Sequence, residues 1–359
     1  MKKSKKFENL NSYTDKEDEF YMKNKKKEST GRKVGRIIAK TSICLISVIF
    51  VAAGLLSLYA ANFVFAELST KNITNNKEEL GITSGTVTVE HITNIALFGV
   101  DTRYTNSFKG RSDVIMILSI DEIHNKVKLT SVLRDTRVYM GSDYNKTSTD
   151  YDKINHAYIY YGPEYAIKVL NQNFGLDIQD YVTVNFAYMA DIIDYFGGVD
   201  IDITSNEAYY INIHKLSGPS VSTKGGVTHL SGVQAVSYAR NRTIGGDDAR
   251  AERQRKVLEK LIEKIIAKPV TEYPAMIAEL SSMVELSLDV TKILAFTPFV
   301  VDGFTVEANS VPKRDEDNAY TGFFEGGASM WEYDREEAAL RVQEFIYEGE
   351  GSESYKNSE

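Results

Sequence analysis

Residues 95–135 read IALFGVDTRYTNSFKGRSDVIMILSIDEIHNKVKLTSVLRD and set the architecture of the chain. Three apolar runs of strand length stand out: IALFGV (95–100), VIMILSI (114–120) and KVKLTSVL (126–133). The short polar turn DEIHN joins the second to the third, as expected of a hairpin. If neighbouring strands run antiparallel, their ends alternate. Asp101 then closes an upward strand, Arg111 and Asp113 open the downward one, and Arg134 and Asp135 follow the next upward one. All five fall along one edge of the sheet beside the loop 102–112.

Downstream, a loop rich in Asp, Ser and Tyr (139–153) leads into KINHAYIYYG. The pattern predicts helices over 163–174 and 187–196, the second closed by Gly197 and Gly198, and strands at 181–186 and 199–203. A short helix is expected over 231–240. A longer one, 249–268, carries Val257, Leu258, Leu261, Ile262, Ile265 and Ile266 at helical spacing, with Asp247 or Asp248 as its cap. Further helices are expected near 275–286 and over 334–348. Strands interleaved with helices predict a layered α/β domain with a mixed sheet.

A second stretch bears on chemistry. LSGVQAVSYARNRTIGGDDARAERQR (230–255) takes all its positive charge from arginine: Arg240, Arg242, Arg250, Arg253 and Arg255. The whole chain has 28 lysines and 14 arginines, so this local reversal needs a cause. A guanidinium offers a planar fork that matches phosphate oxygens in pairs. Arg250, Arg253 and Gln254 stand at i, i+3 and i+4 and share one face near a helix N-terminus, which itself favours anions.

Two carboxylates, Asp101 and Asp113, with Arg134 at one sheet edge supply hard oxygen ligands for Mg²⁺, which bridges such acids to phosphates. The expected reaction class is phosphoryl transfer from, or hydrolysis of, a diphosphate. The five histidines show no HExxH or other ligand spacing, which argues against catalytic zinc, and a hydrogen-bonded structural role is expected of His156. GxSxG and GxxxxGK[ST] patterns are absent.

Composition gives the setting. Hydrophobic residues make up 43% of 359, ample for a globular core. Residues 1–40 hold 13 Lys+Arg against 6 Asp+Glu, while the whole chain carries −8. The uncharged run TSICLISVIFVAAGLLSLYAA (41–61) has the length of a membrane-spanning helix, and the preceding basic residues orient its N-terminus to the cytoplasm. The expected order is a basic cytoplasmic tail (1–40), a span (41–63), an extracytoplasmic linker (64–90) ending in the strand-like TVTVEH, a domain over 91–348 and a disordered tail (349–359). A cleaved signal peptide is the alternative to the anchor. The only cysteine, Cys44, lies in the span, so the outer domain has neither disulfide nor thiol nucleophile. The basic tail shows no nucleic-acid-binding module.

The ordered motifs GVDTR (99–103), GRSDVIMILSI (110–120), SVLRDTRV (131–138), KINHAY (153–158), YVTVNF (181–186), FGGVDIDI (196–203), LSGVQAVSYARNR (230–242) and GDDARAERQ (246–254) resemble the LytR-CpsA-Psr family. The resemblance covers about 91–255 and extends more weakly to about 348. It implies an α/β/α sandwich with a hydrophobic pocket for a polyprenyl chain. It also implies a membrane-anchored phosphotransferase that moves a glycopolymer (a teichoic acid, capsule or related wall polysaccharide) from an undecaprenyl-diphosphate carrier to peptidoglycan. By motif, Asp101 and Asp113 resemble the family's Mg²⁺ ligands. Arg111, Arg134, Arg240, Arg242, Arg250, Arg253 and Gln254 resemble its diphosphate-binding set. Asp247 resembles the base, with Arg134 and Arg240 completing the catalytic residues. This sequence departs from the usual pattern at His156, where a small residue is common, and at Asp248, an extra acid. A polyprenyl-diphosphate phosphatase, an envelope-linked transcriptional attenuator and a non-catalytic binder of anionic lipid carriers are the competing readings.

Overall fold

The central strands are buried on both faces, because apolar residues occupy both sets of alternating positions. The computed structural model describes residues 71–102, 107–214, 218–324 and 327–350. β1 (Ile92–Asp101) pairs antiparallel with β2 (Arg111–Asp121), which pairs antiparallel with β3 (Lys126–Val132). The expected hairpin and the alternation of strand direction are therefore both present.

Later segments widen the sheet. β6 (Asp180–Asn185) lies parallel to β1, β9 (Val284–Leu286) antiparallel to β6, and β10 (Thr305–Val311) parallel to β3. The order is β10-β3-β2-β1-β6-β9, a mixed sheet of six strands. One face packs Ala96, Phe98, Ile115 and Ile117 against α1 (Ile154–Tyr161), α2 (Pro163–Phe174) and α10 (Arg335–Tyr347). The other packs Ile95, Leu97, Leu118 and Leu129 against α6 (Gly246–Ile266), α7 (Tyr273–Leu280), α8 (Val290–Ala295) and α9 (Thr297–Asp302). Helices on both faces make an α/β/α arrangement.

A third cluster lies around the ribbon of β7 (Val199–Ile203) and β8 (Gly226–Leu230), with α3 (Phe186–Tyr195), α4 (Ser205–His214) and α5 (Gly232–Arg240). β7 keeps the alternating burial expected of VDIDI, but it pairs only with β8. Two three-residue strands, β4 (Arg137–Tyr139) and β5 (Tyr151–Lys153), join the ends of the expected 139–153 loop.

Several expectations change. TVTVEH forms no ladder strand, although Val87 and Val89 are buried in the first core beside Leu80 and Ile82. Alternation reports which face is covered, and coverage needs no strand partner. Residues 80–89 of the expected linker thus pack as part of the domain. The 275–286 helix ends at Leu280, and β9 takes its last three residues. The α6 cap is Gly245, so Asp247 and Asp248 lie in its first turn. β10 escapes a hydropathy reading because Asn309 interrupts it; that amide is buried and accepts from Arg341 Nη1 at 3.0 Å.

Among the described residues no helix is long and apolar enough to cross a membrane. The expected tail 1–40 and span 41–63, the first part of the linker and residues 351–359 lie outside the described residues.

Candidate active site

Asp101, the last residue of β1, is the register partner of Arg111, the first of β2. Just inside this end the ladder slips. Gly99 faces Val114 and Val100 faces Ser112, which leaves Asp113 as the extra residue of a bulge. A bulge bends the strand and re-aims the inserted side chain. Asp113 accepts from Arg134 Nη1 at 2.9 Å and from Arg242 Nη2 at 3.4 Å. Arg134, two residues past β3, also donates through Nε to Asp135 at 3.1 Å. Lys153, at the end of β5, donates to the other Asp135 oxygen at 2.8 Å.

The arginine-rich segment meets these strand ends from α5 and α6. The start of α5 is fixed by Gln234, whose side chain accepts from the Ser231 N–H at 2.8 Å, and by Asp194, which accepts from Gly232 N at 2.7 Å. Its last residue, Arg240, donates to Asp101 at 3.1 Å and lies over the Phe186 ring at 5.0 Å. Asn241 is fully buried and accepts from the N–H groups of Thr243 and Ile244, which shapes the following loop. Gly245 and Gly246 then take φ of 77° and 71°, a left-handed pair that starts α6 abruptly. A Cβ on Gly245 would stand 2.6 Å from that of Ala249.

This turn separates two adjacent acids. Asp247 lies 3.1 Å from Arg250 Nη1, whereas Asp248 faces Arg314 at 3.9 Å on the exposed side. Arg250 has a side chain only 4% exposed, yet its Nε and Nη1 find no aligned hydrogen-bond partner among the described residues. Burial pushes its guanidinium down to about 10, against the pull of Asp247 and with added repulsion from Arg242 and Arg134. Arg134 behaves oppositely. Burial lowers it, but Asp135, Asp113 and Asp247 outweigh burial and hold it above the ordinary arginine value. Asp135 is held below the usual carboxylate range because Lys153, Arg134 and Arg250 overcome the burial that raises it.

The remaining expected residues divide. Arg253 donates to Glu207 at 2.6 Å, to Asn241 O at 3.0 Å and to Ile244 O at 2.7 Å, so its fork braces the loop and α4. That geometry departs from the expected diphosphate contact. Arg255 reaches Asn309 O at 3.3 Å on β10. Arg111 is exposed at the strand end. His156 bonds to Asp152 through Nδ1 at 2.7 Å, in keeping with a structural role. Lys153 and Phe186 were not singled out from sequence, although both lie in the quoted motifs; a lysine or aromatic has too many surface roles to be chosen without its neighbours.

Gln254 and Arg240 both line an apolar cavity of about 420 Å³. Its walls come from the sheet (Leu97, Val114, Met116 and Val182) and from helices, with Val257, Leu258 and Ile277 among them. Polar head and apolar body therefore adjoin. Asp101, 35% exposed, and Asp113 on adjoining strand ends are the hard-oxygen donor type that suits Mg²⁺. The array can grip a multiply anionic group carrying an apolar tail.

Known proteins resemble this chain in sequence and in fold. The LytR_cpsA_psr family model matches residues 58–343. The chain is 30% identical over 214 residues to the polyisoprenyl-teichoic acid–peptidoglycan teichoic acid transferase TagV of Bacillus subtilis, covering 59% of this chain and 53% of that protein. It is 29% identical over 259 residues to TagU of Enterococcus faecalis, a transferase of the same designation, covering 70% and 77%. The chain thus spans about half the length of the first relative. A solved structure of YwtF (TagT) with bound octaprenyl pyrophosphate lipid superposes with a TM-score of 0.54 at 19% identity, covering 78% of this chain and 96% of that one, a likeness of fold. The chain belongs to the LytR_cpsA_psr family.

Proposed function

We propose that this chain is a membrane-anchored phosphotransferase that moves a wall glycopolymer from a polyprenyl-diphosphate carrier to peptidoglycan. The observation that carries the reading is Arg250: a buried guanidinium with unmet donors, beside Arg134 and Arg242 and one helical turn from Gln254 on the wall of an apolar cavity. A buried cation without a full set of partners favours a bound anion. The cavity suits the prenyl tail of the same molecule, and the transferase relatives support the substrate class.

In this reading Arg111, Arg134, Arg240, Arg242 and Arg250 hold the diphosphate, while Gln254 stands where it meets the tail. A sugar hydroxyl of peptidoglycan attacks the phosphorus bearing the glycopolymer. The bond from that phosphorus to the bridging oxygen breaks, and polyprenyl monophosphate leaves with the electron pair. The hydroxyl proton passes to the Asp247 carboxylate, and the product is a phosphodiester. The arginines neutralise charge on the transferred group. Asp101 and Asp113 would hold Mg²⁺, which supplies further charge neutralisation at the diphosphate. The run 41–63 anchors the domain outside the membrane, with residues 1–40 in the cytoplasm.

The test is transfer from a lipid-linked donor to peptidoglycan by the purified protein, with product analysis. Polymer esterified to muramic acid is expected, in a transfer that requires Mg²⁺ and is abolished by EDTA. Alanine at Arg134, Arg240 or Arg250 abolishes it. Full activity in all three variants, or free polymer as the only product, overturns the reading.

A further inference from the structure

The spacing of histidines along the chain argued against zinc, but the fold brings two of them together far from the arginines. His91 immediately precedes β1, and Ile92 pairs with Asp121 at the end of β2. His124 lies in the turn between β2 and β3, and Glu350 follows α10. Three segments of the chain thus converge where the β2–β3 turn lies. This point is roughly 30 Å along β1 from Asp101.

Three ligand-type groups, His91, His124 and Glu350, face one another there, with Asp121 against both histidines. His91 Nε2 is 3.3 Å from Glu350 Oε2 and 3.8 Å from Asp121 Oδ1. His124 Nδ1 is 2.8 Å from Asp121 Oδ2 and 3.9 Å from Glu350 Oε1. The ligand atoms of His91, His124 and Glu350 all lie within 4.8 Å of one another. Ligands about 2.0–2.2 Å from a tetrahedral Zn²⁺ stand roughly 3.3 Å apart, within the spread of these separations.

Two features separate this group from an ordinary surface charge cluster. His91 Nε2 is buried and has no aligned hydrogen-bond partner among the described residues, although it points at two carboxylates. Asp121 has a side chain only 2% exposed; it accepts from His124 N at 3.0 Å and stands 2.8 Å from His124 Nδ1, which fixes the ring. Imidazole with carboxylate is a donor set that zinc takes and that Mg²⁺, an all-oxygen ion, does not.

We infer that His91, Asp121, His124 and Glu350 form a Zn²⁺ site that ties the end of α10 to the β2–β3 turn and the start of β1. The site is structural.

The inference is tested by calorimetric titration of ZnCl₂ into the purified, metal-stripped full chain at pH 7.5, without lipid donor and with Mg²⁺ in excess. One Zn²⁺ per chain is expected, undisturbed by Mg²⁺. The thermal midpoint should rise by roughly 5–10 °C at a hundredfold excess over Kd. His91→Ala, His124→Ala and Glu350→Gln each weaken binding at least tenfold. Co²⁺ in place of Zn²⁺ gives the visible bands of a tetrahedral nitrogen–oxygen site, and these are lost in His91→Ala. Glu350→Gln alters an exposed side chain beyond α10 and guards against a folding artefact. No saturable Zn²⁺ binding, or binding that survives all three substitutions, overturns the inference and leaves the transferase reading untouched.

Discussion

Arg250 and Arg253 are three residues apart, both almost fully buried, and they do opposite things. Arg253 has its donors matched by Glu207 and two carbonyls, whereas Arg250 leaves Nε and Nη1 without an aligned hydrogen bond, with Arg134 and Arg242 opposing the pull of Asp247. Removing one partner of a buried matched pair leaves the other charge stranded, at a cost of about 3–5 kcal/mol. Removing an unmatched buried charge relieves strain. Arg253→Met should therefore lower unfolding stability by about 3–5 kcal/mol in denaturant titration. Arg250→Met should leave stability unchanged or slightly raised while transfer falls by about 10²–10³-fold. Arg250, pushed down only to about 10, stays protonated at neutral pH and remains available to an anion. A result in which Arg250→Met destabilises the fold and keeps its activity would reverse these roles.

At the scale of elements, the site is held by a few local devices. The Asp113 bulge, the Gly245–Gly246 turn and the Glu207–Arg253 tie each aim a side chain that regular structure would aim elsewhere. Gly245→Ala forces a left-handed residue to carry a Cβ, costing about 1–2 kcal/mol before its contact with Ala249 is counted. The same change displaces Asp247, and a drop in kcat of about 10–100-fold is expected with donor binding nearly intact. Burial raises Glu207, but the Thr204 N–H and Arg253 overcome it, so the carboxyl lies below its ordinary 4.5 when folded. Its contribution to stability is complete above about pH 4.5 and is lost as pH falls through the lowered folded value. Glu207→Gln should flatten that part of the acid-unfolding profile, measured by circular dichroism against pH. An unchanged acid limb would show that α4 and α6 are not coupled through this pair. These devices mark where a sequence reading stops. Alternation and turn residues were enough to order β1, β2 and β3 and so to bring Asp101, Arg111, Asp113 and Arg134 to one end of the sheet. Neither the slip at Gly99 nor the difference between Arg250 and Arg253 is written in local pattern. Both depend on what lies opposite: Ser112 and Val114 in one case, Glu207 and the 241–244 carbonyls in the other. β9 and β10 were missed for a related reason. Short or polar strands become strands only when a sheet edge is waiting for them.

Across the whole molecule, charge and apolar space are segregated and then made to touch. The strand ends, the end of α5 and the start of α6 gather the arginines, while the sheet face beneath α6 and α7 leaves a cavity of about 420 Å³ whose border includes Arg240 and Gln254. For an amphiphilic donor this division assigns binding energy to the tail and reaction to the head, so the two should separate in kinetics. Leu258, on the cavity wall, is far enough along α6 from Arg250 to alter one without the other. Leu258→Trp fills space that is already open, so it should change stability by less than about 1.5 kcal/mol. Each buried methylene is worth about 0.8 kcal/mol, and expelling one five-carbon prenyl unit therefore costs on the order of 3–4 kcal/mol. Donors with long prenyl tails should show a KM raised by a few hundredfold (about 3–4 kcal/mol) with kcat nearly constant. Donors with tails too short to reach Leu258 should be unaffected. Steady-state rates over a series of tail lengths read this directly. An equal loss for short and long tails would mean that the substitution disturbed the phosphate cradle, and that the cavity is not where the tail resides.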